Sequence, residues 1–89
     1  MKIDYHRQFK KQLNKLPIKT QNRFATRLEI FTKDPTQPIL NIHELVGKYL
    51  GYHSFNVTGD VRAIFHLTNH RGSISAFFVA IGTHSELYR

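Results

Sequence analysis

The last nine residues, IGTHSELYR, put His84, Tyr88 and Arg89 directly after an apolar run. A His just beyond a strand end is exposed enough to titrate near neutrality, which suits general acid or base work. Gly82 ends the run and Thr83 can cap a final helical turn, so the simpler alternative for His84 is a C-terminal cap. His43 lies in NIHELVGKYLGYH, a loop braced by Leu40, Ile42 and Leu45. It either faces a cleft or is an ordinary surface histidine. Asp60 and Arg62 are two apart at the start of a strand, which points both to one sheet face. Arg offers a planar fork of donors that fits a phosphate, and Asp can orient a His or fix the turn. The alternative is a cross-strand ion pair, worth little if exposed.

Other chemistries find little support. His66 and His70 stand four apart, but in a strand and turn that spacing does not bring two imidazoles to one face, and no acidic ligand is near them, so a metal site is not expected. The chain has no Cys, hence no disulfide, thiolate metal site or Cys nucleophile. A P-loop and a G-x-S-x-G elbow are both missing. Two-metal nuclease chemistry needs converging carboxylates, and beyond residue 35 there are only Glu44, Asp60 and Glu86. What remains is metal-free chemistry by His, Arg and Tyr, with no cofactor.

These residues need a scaffold, and 89 residues allow one domain spanning 1–89. A domain this small buries only about 60 to 65% of its unfolded surface. Seven Phe and four Tyr within a 40% hydrophobic composition are enough for a core. Thirteen Lys and Arg against six Asp and Glu give a net charge of +7, which favours polyanionic partners. The charge is uneven: residues 1–34 hold nine basic and three acidic side chains, whereas residues 35–89 hold four and three. No stretch approaches the roughly 18 apolar residues of a membrane span, and no leader is apparent, so a soluble, unprocessed, cytoplasmic protein without membrane contact is expected.

The hydrophobic period changes along the chain. KIDY at 2–5 alternates as a strand does, and Phe9, Leu13 and Leu16 then fall on one helical stripe until Pro17. Phe24, Leu28 and Phe31 repeat that spacing over 18–33, until Asp34-Pro35, so two antiparallel helices form a hairpin. The segment 34–53 reads as a loop, with one helical turn at 43–46. Three strands follow, YHSFNV, VRAIFHLT and SISAFFVAIG, joined at Thr58-Gly59-Asp60 and at Asn69-His70-Arg71-Gly72 into an antiparallel meander. The expected fold class is α+β: an N-terminal strand, a two-helix hairpin, then a three- to four-stranded antiparallel sheet.

In that order, DYHRQFKKQLNKL, the ILNIHELVGKYLGYHSFNVTGDVRAIFHL core with its H-x-L-x-G-x-x-x-G-Y spacing, and the closing IGTHSELY resemble the RelE/ParE superfamily of bacterial type II toxins, and within it the YafQ-like endoribonucleases. The resemblance covers nearly the whole chain. It implies a fold like that of microbial ribonucleases and cleavage of messenger RNA in the A site of the 70S ribosome. It also implies silencing by an acidic cognate antitoxin in a toxin–antitoxin hetero-oligomer. His43 matches the family's loop His, Asp60 the acidic residue of the strand turn, His84 the C-terminal His, and Tyr88 an aromatic that is Phe in the YafQ pattern. Where that pattern has a further catalytic His this chain has Asn56, with His53 three positions earlier. Arg62 matches the strand Arg of RelE-like relatives.

The implied reaction uses His84 and His43 as acid and base, Arg62 as the phosphate clamp, Asp60 to orient a His, and Tyr88 to stack on a base or position the phosphate. Lys10, Lys11, Lys15, Arg23, Arg27, Lys48 and His53 are the expected RNA-binding residues, and Arg89 would attract phosphate. A ParE-like toxin that binds DNA gyrase shares the fold but has no need of His84. A non-catalytic RNA- or protein-binding module is the remaining alternative.

Overall fold

The structure is a computed structural model and describes residues 1–88; Arg89 lies outside them. The elements run β1 (Lys2–Tyr5), α1 (Arg7–Lys15), α2 (Ile18–Lys33), β2 (His43–Glu44), β3 (His53–Asn56), β4 (Val61–His70), β5 (Ser73–Thr83) and α3 (His84–Leu87). Among the described residues the strands form one sheet in the order β1-β5-β4-β3-β2. Neighbours pair antiparallel except β1 and β5, which pair parallel with Ile3 opposite Ala76 and Tyr5 opposite Phe78. No helix among the described residues is long and apolar enough to cross a membrane.

Both long helices lie where the hydrophobic period places them. His6 caps α1, its Nδ1 accepting from the Gln8 amide at 3.0 Å. Pro17 then stands at the N-cap of α2, and Asp34 at its C-cap. Across the corner between the helices, Gln21 Nε2 donates to the carbonyl of Leu16 at 2.9 Å, satisfying an acceptor that the end of α1 leaves open. Phe9, Phe24 and Phe31 are buried against the sheet together with Phe55, Phe65 and Phe78. The Phe78 ring is the hub: Tyr5, Phe9, Phe24, Phe31, Phe55 and Phe65 all have ring centres 5.3–6.1 Å from it.

The sheet departs from expectation in three places. It has five strands because β1 joins as an edge beside β5, and because His43–Glu44, expected to be a helical turn, pairs with β3. The helical turn falls later, at Gly47–Tyr49, where φ of +65° at Gly47 and +90° at Gly51 demand glycine on either side. The hairpin between β4 and β5 is also tighter than the four residues expected. Its two central residues, Arg71 and Gly72, both have positive φ (53° and 85°), as in the turn that follows the strands' own twist.

Phe78→Ala is expected to lower unfolding free energy by about 3–5 kcal/mol in urea denaturation. Phe77→Ala, one residue earlier but on the opposite face and 38% exposed, should lower it by less than about 1.5 kcal/mol. Similar losses for the two would contradict the assignment of the faces.

Candidate active site

The face of the sheet away from α1 and α2 carries the groups able to do chemistry. Residues directly opposite on paired strands share a face. Asn56 is opposite Arg62, and Arg62 is opposite Gly82. The next row is His43, Ser54, Ile64 and Ala80. Phe55, Ala63 and Ile81, between these rows, point the other way into the aromatic core.

A bulge in β5 makes this arrangement possible. Ile64 pairs with Ala80 but Phe65 pairs with Phe78, so Val79 is an extra residue. The insertion reverses the alternation: before it Ala76 and Phe78 face the helices, and after it Ile81 does. Gly82 is thereby turned to the open face beside Arg62. Beyond the reach of β1, the Ile81 amide is held at 3.0 Å by Gln12 Oε1 of α1.

The strand then passes directly into α3, which folds back over the same face. Thr83 and Glu86 form a reciprocal cap: Glu86 Oε1 accepts from the Thr83 amide at 2.8 Å, and Thr83 Oγ1 accepts from the Glu86 amide at 3.2 Å. Leu87 is buried with Leu45, Ile64 and Ala80. The Leu87 carbonyl accepts from Lys48 Nζ at 3.2 Å, tying α3 to the loop after β2. His84, the first residue of this turn, is exposed, and its ring stacks on Tyr88 with centres 4.7 Å apart. Tyr88 in turn meets Tyr49 edge-on at 5.5 Å. Burial, then the neighbouring Tyr88, raises the Tyr49 hydroxyl above its ordinary pKa.

His43 is exposed, with Nδ1 3.0 Å from the Asn41 carbonyl. A carbonyl can only accept, so Nδ1 is the donor of this pair and Nε2 is the nitrogen not engaged in it. Arg62 is half-buried, and its Nε is shielded from water with no acceptor. Asn56 Oδ1 and Ser54 Oγ on the same face are buried and equally unpartnered. Such orphans are rare in folded proteins; three lie on this face, and a fourth, His53 Nδ1, on the other. Arg62 forms no ion pair among the described residues, so the alternative of a pair with Asp60 does not hold. Asp60 sits exposed in the turn before β4, its amide donating to Thr58 Oγ1 at 3.2 Å.

The structure separates the remaining candidates. Lys10, Lys11, Lys15 and Arg23 are exposed on α1 and α2. Arg27 is committed to the fold, donating from Nη1 to the carbonyls of Ile39 (3.0 Å) and Asn56 (2.9 Å). Burial, and then Arg23, lowers its pKa. Lys48 lies over the Tyr49 ring at 5.4 Å, at the edge of the open face. His53 is on the other face, stacked on Phe65 at 5.9 Å and 3.9 Å from Glu44, away from Arg62. Among the described residues no group of three or more His, Asp or Glu is placed to hold a metal ion. Ser54, Tyr49, Tyr52 and Phe77 also face this side and were not singled out from sequence; His66, weighed there only as a metal ligand, lies with them. The alternation in VRAIFHLT puts His66 and Ile64 on the face of Arg62.

No family model matches the chain, and no curated protein matches it. Solved structures do. YafQ from Escherichia coli strain BL21(DE3) superposes with a TM-score of 0.80 over 98% of this chain and 97% of its own, at 22% identity. The YoeB/ParE toxin from Agrobacterium tumefaciens gives 0.76 over 94% and 99%, at 13% identity. YafQ in the E. coli DinJ–YafQ toxin–antitoxin complex gives 0.69 over 98% and 96%, at 24% identity. The fold is therefore that of the YafQ and YoeB/ParE toxins.

Thr83→Ala should cost about 1 kcal/mol of global stability. Amide exchange at Glu86 and Tyr88 should accelerate while the Phe78 amide, deep in β5, follows only the global change. Uniform acceleration along β5 would show that the cap does not act locally on the turn that holds His84.

Proposed function

We propose that this protein is the toxin of a type II toxin–antitoxin pair and a metal-independent endoribonuclease acting on messenger RNA in the ribosomal A site. The observation that carries this reading is the orphaned Nε of Arg62, set beside Asn56 and Gly82 on the open face with His43 and His84 on flanking elements. An arginine half-buried on this face, with no ion pair among the described residues, can offer its guanidinium fork to a phosphate oxygen. The similarity in fold to YafQ, which is solved in a toxin–antitoxin complex, supports the toxin class and an acidic antitoxin as partner for a chain of charge +7.

In the proposed reaction a histidine takes the proton of the ribose 2′-OH, and the 2′-oxygen forms a bond to phosphorus. The bond from phosphorus to the 5′-oxygen breaks, and that oxygen receives a proton from the second acid. Arg62 offsets the charge that builds on the phosphoryl oxygens. The products are a 2′,3′-cyclic phosphate and a 5′-OH. His43, with Nδ1 engaged by the Asn41 carbonyl, would act as base through Nε2 and His84 as acid, while Tyr88 holds the His84 ring by stacking. Asp60, exposed and unpaired with Arg62, would act through a neighbouring His once RNA is bound. Lys10, Lys11, Lys15 and Arg23 would meet ribosomal RNA phosphates, giving binding that weakens with salt.

The test is inducible expression in bacteria of the wild type, His84→Ala and Arg62→Ala, with mapping of cleaved messages. Wild type should arrest growth and cut messages at discrete sites. Each variant should cut at least about 100-fold less. Equal growth and equally intact messages for wild type and His84→Ala would overturn the assignment. Intact messages with gyrase-dependent DNA breaks would move the protein to the gyrase-inhibiting branch of the same fold.

A further inference from the structure

A second feature of the open face is not used by the proposed chemistry. Between the start of α1 and the loop after β2 runs an open groove of about 490 Å³, walled by Tyr49 and Tyr52 on one side and by Phe77 and His6 on the other. Its floor is Val79 and Ala80, the bulge and the residue after it. This volume falls in the range that holds small organic ligands, about 300–1,000 Å³. Ala80 is also the residue opposite Ile64, one row along the sheet from Arg62 and Gly82. The groove therefore begins where the candidate phosphate site ends.

Its walls are aromatic rather than aliphatic. An unbroken series of rings crosses the face: His84 to Tyr88 at 4.7 Å, Tyr88 to Tyr49 at 5.5 Å, Tyr49 to Tyr52 at 6.3 Å, and Tyr52 to His66 at 5.2 Å. Phe77, opposite His66, leaves 38% of its surface exposed and meets His6 edge-on at 6.0 Å. The helix-packed core needs none of these rings, since Phe78 and its neighbours fill it. Polar residues also line it: Lys48, Gln8 and His6, whose Nδ1 accepts from the Gln8 backbone amide. Flat apolar walls with donors at the rim and a strongly positive chain suit a nucleobase with its phosphate better than an aliphatic peptide side chain.

We infer that this groove is a base-stacking subsite for the nucleotide adjoining the cleaved bond, in which Tyr52 and Phe77 hold the base between them and Lys48 meets its phosphate. The subsite deepens the nuclease reading and rests on it for the identity of the ligand as single-stranded RNA. It gives the protein a grip on RNA that is separate from the reacting groups, so base preference next to the cut would be set by Tyr49, Tyr52 and Phe77.

The experiment uses the full chain and fluorescently labelled RNA heptamers carrying 2′-O-methyl groups throughout, which block the 2′-OH attack. One base is removed at each position in turn, and binding is read by anisotropy. Wild type should lose about 5- to 100-fold in affinity at one abasic position and little at positions distant from it. Tyr52→Leu should bind the intact heptamer as weakly as wild type binds that abasic one, and the abasic change should then cost it less than about twofold. Absence of any position-specific loss in wild type, absence of measurable heptamer binding, or an unchanged abasic penalty in Tyr52→Leu would overturn the subsite. The wild-type series stands without the variant. A position-specific loss in a protein that leaves cellular messages intact would sink the nuclease reading and keep the subsite. Cut messages with no such loss would do the reverse.

Discussion

The one-residue bulge in β5 is the constraint on which the rest of the molecule depends. Before it, β5 sends Phe78 into the centre of an aromatic core that holds both helices on one face. After it, the same strand delivers Gly82 to the opposite face and runs straight into α3. Without the extra residue the alternation would continue, Gly82 would point at the helices, and the turn carrying His84 would leave the sheet on the wrong side. Stability and the candidate site are thus built from successive residues of one strand, with Gln12 and the Thr83–Glu86 cap fixing the last few.

The open face pairs a modest apolar anchor with polar groups left unsatisfied. Leu45, Ile64, Ala80 and Leu87 form a small second cluster that seats α3 and the loop after β2. Around it, Ser54, Asn56 and Arg62 present buried atoms with no protein partner. Leaving such groups unpaired costs of the order of 1–3 kcal/mol each. A fold this small has little stability to spare. The arrangement makes physical sense if a polar ligand completes it. Much of the basic surface lies on the exposed sides of the helices, where Lys10, Lys11, Lys15 and Arg23 need no partner to be stable.

The long elements were legible in the sequence because their periods are strong. Phe9, Leu13 and Leu16, then Phe24, Leu28 and Phe31, define two helices broken by Pro17, and β4 and β5 have the alternation or continuous apolarity of core strands. What escaped was short or relational. β1 could be read as a strand, but nothing in KIDY says that it pairs parallel with β5. His43–Glu44 is two residues long, too brief to show a period. The bulge at Val79 has no local signature in FFVAIG, so the face of Gly82 could not be derived, whereas that of Arg62 follows from the alternation in VRAIFHLT. His53, expected to bind RNA, shares its parity with Phe55 and lies on the helix side. The reciprocal cap at Thr83 was foreseen in part, through Thr83 alone.

In the proposed reaction the open face directs a ribose 2′-OH onto the adjoining phosphate. The most direct measurement is cleavage of a ribosome-bound message by the purified protein, with the nucleotide 5′ of the mapped cut supplied as ribose or as 2′-deoxyribose. Attack by the 2′-OH should leave a 2′,3′-cyclic phosphate and a 5′-OH from the ribose message and give no cleavage at the deoxy position. Cutting that persists at the deoxy position, or that leaves a 5′-phosphate, would contradict it.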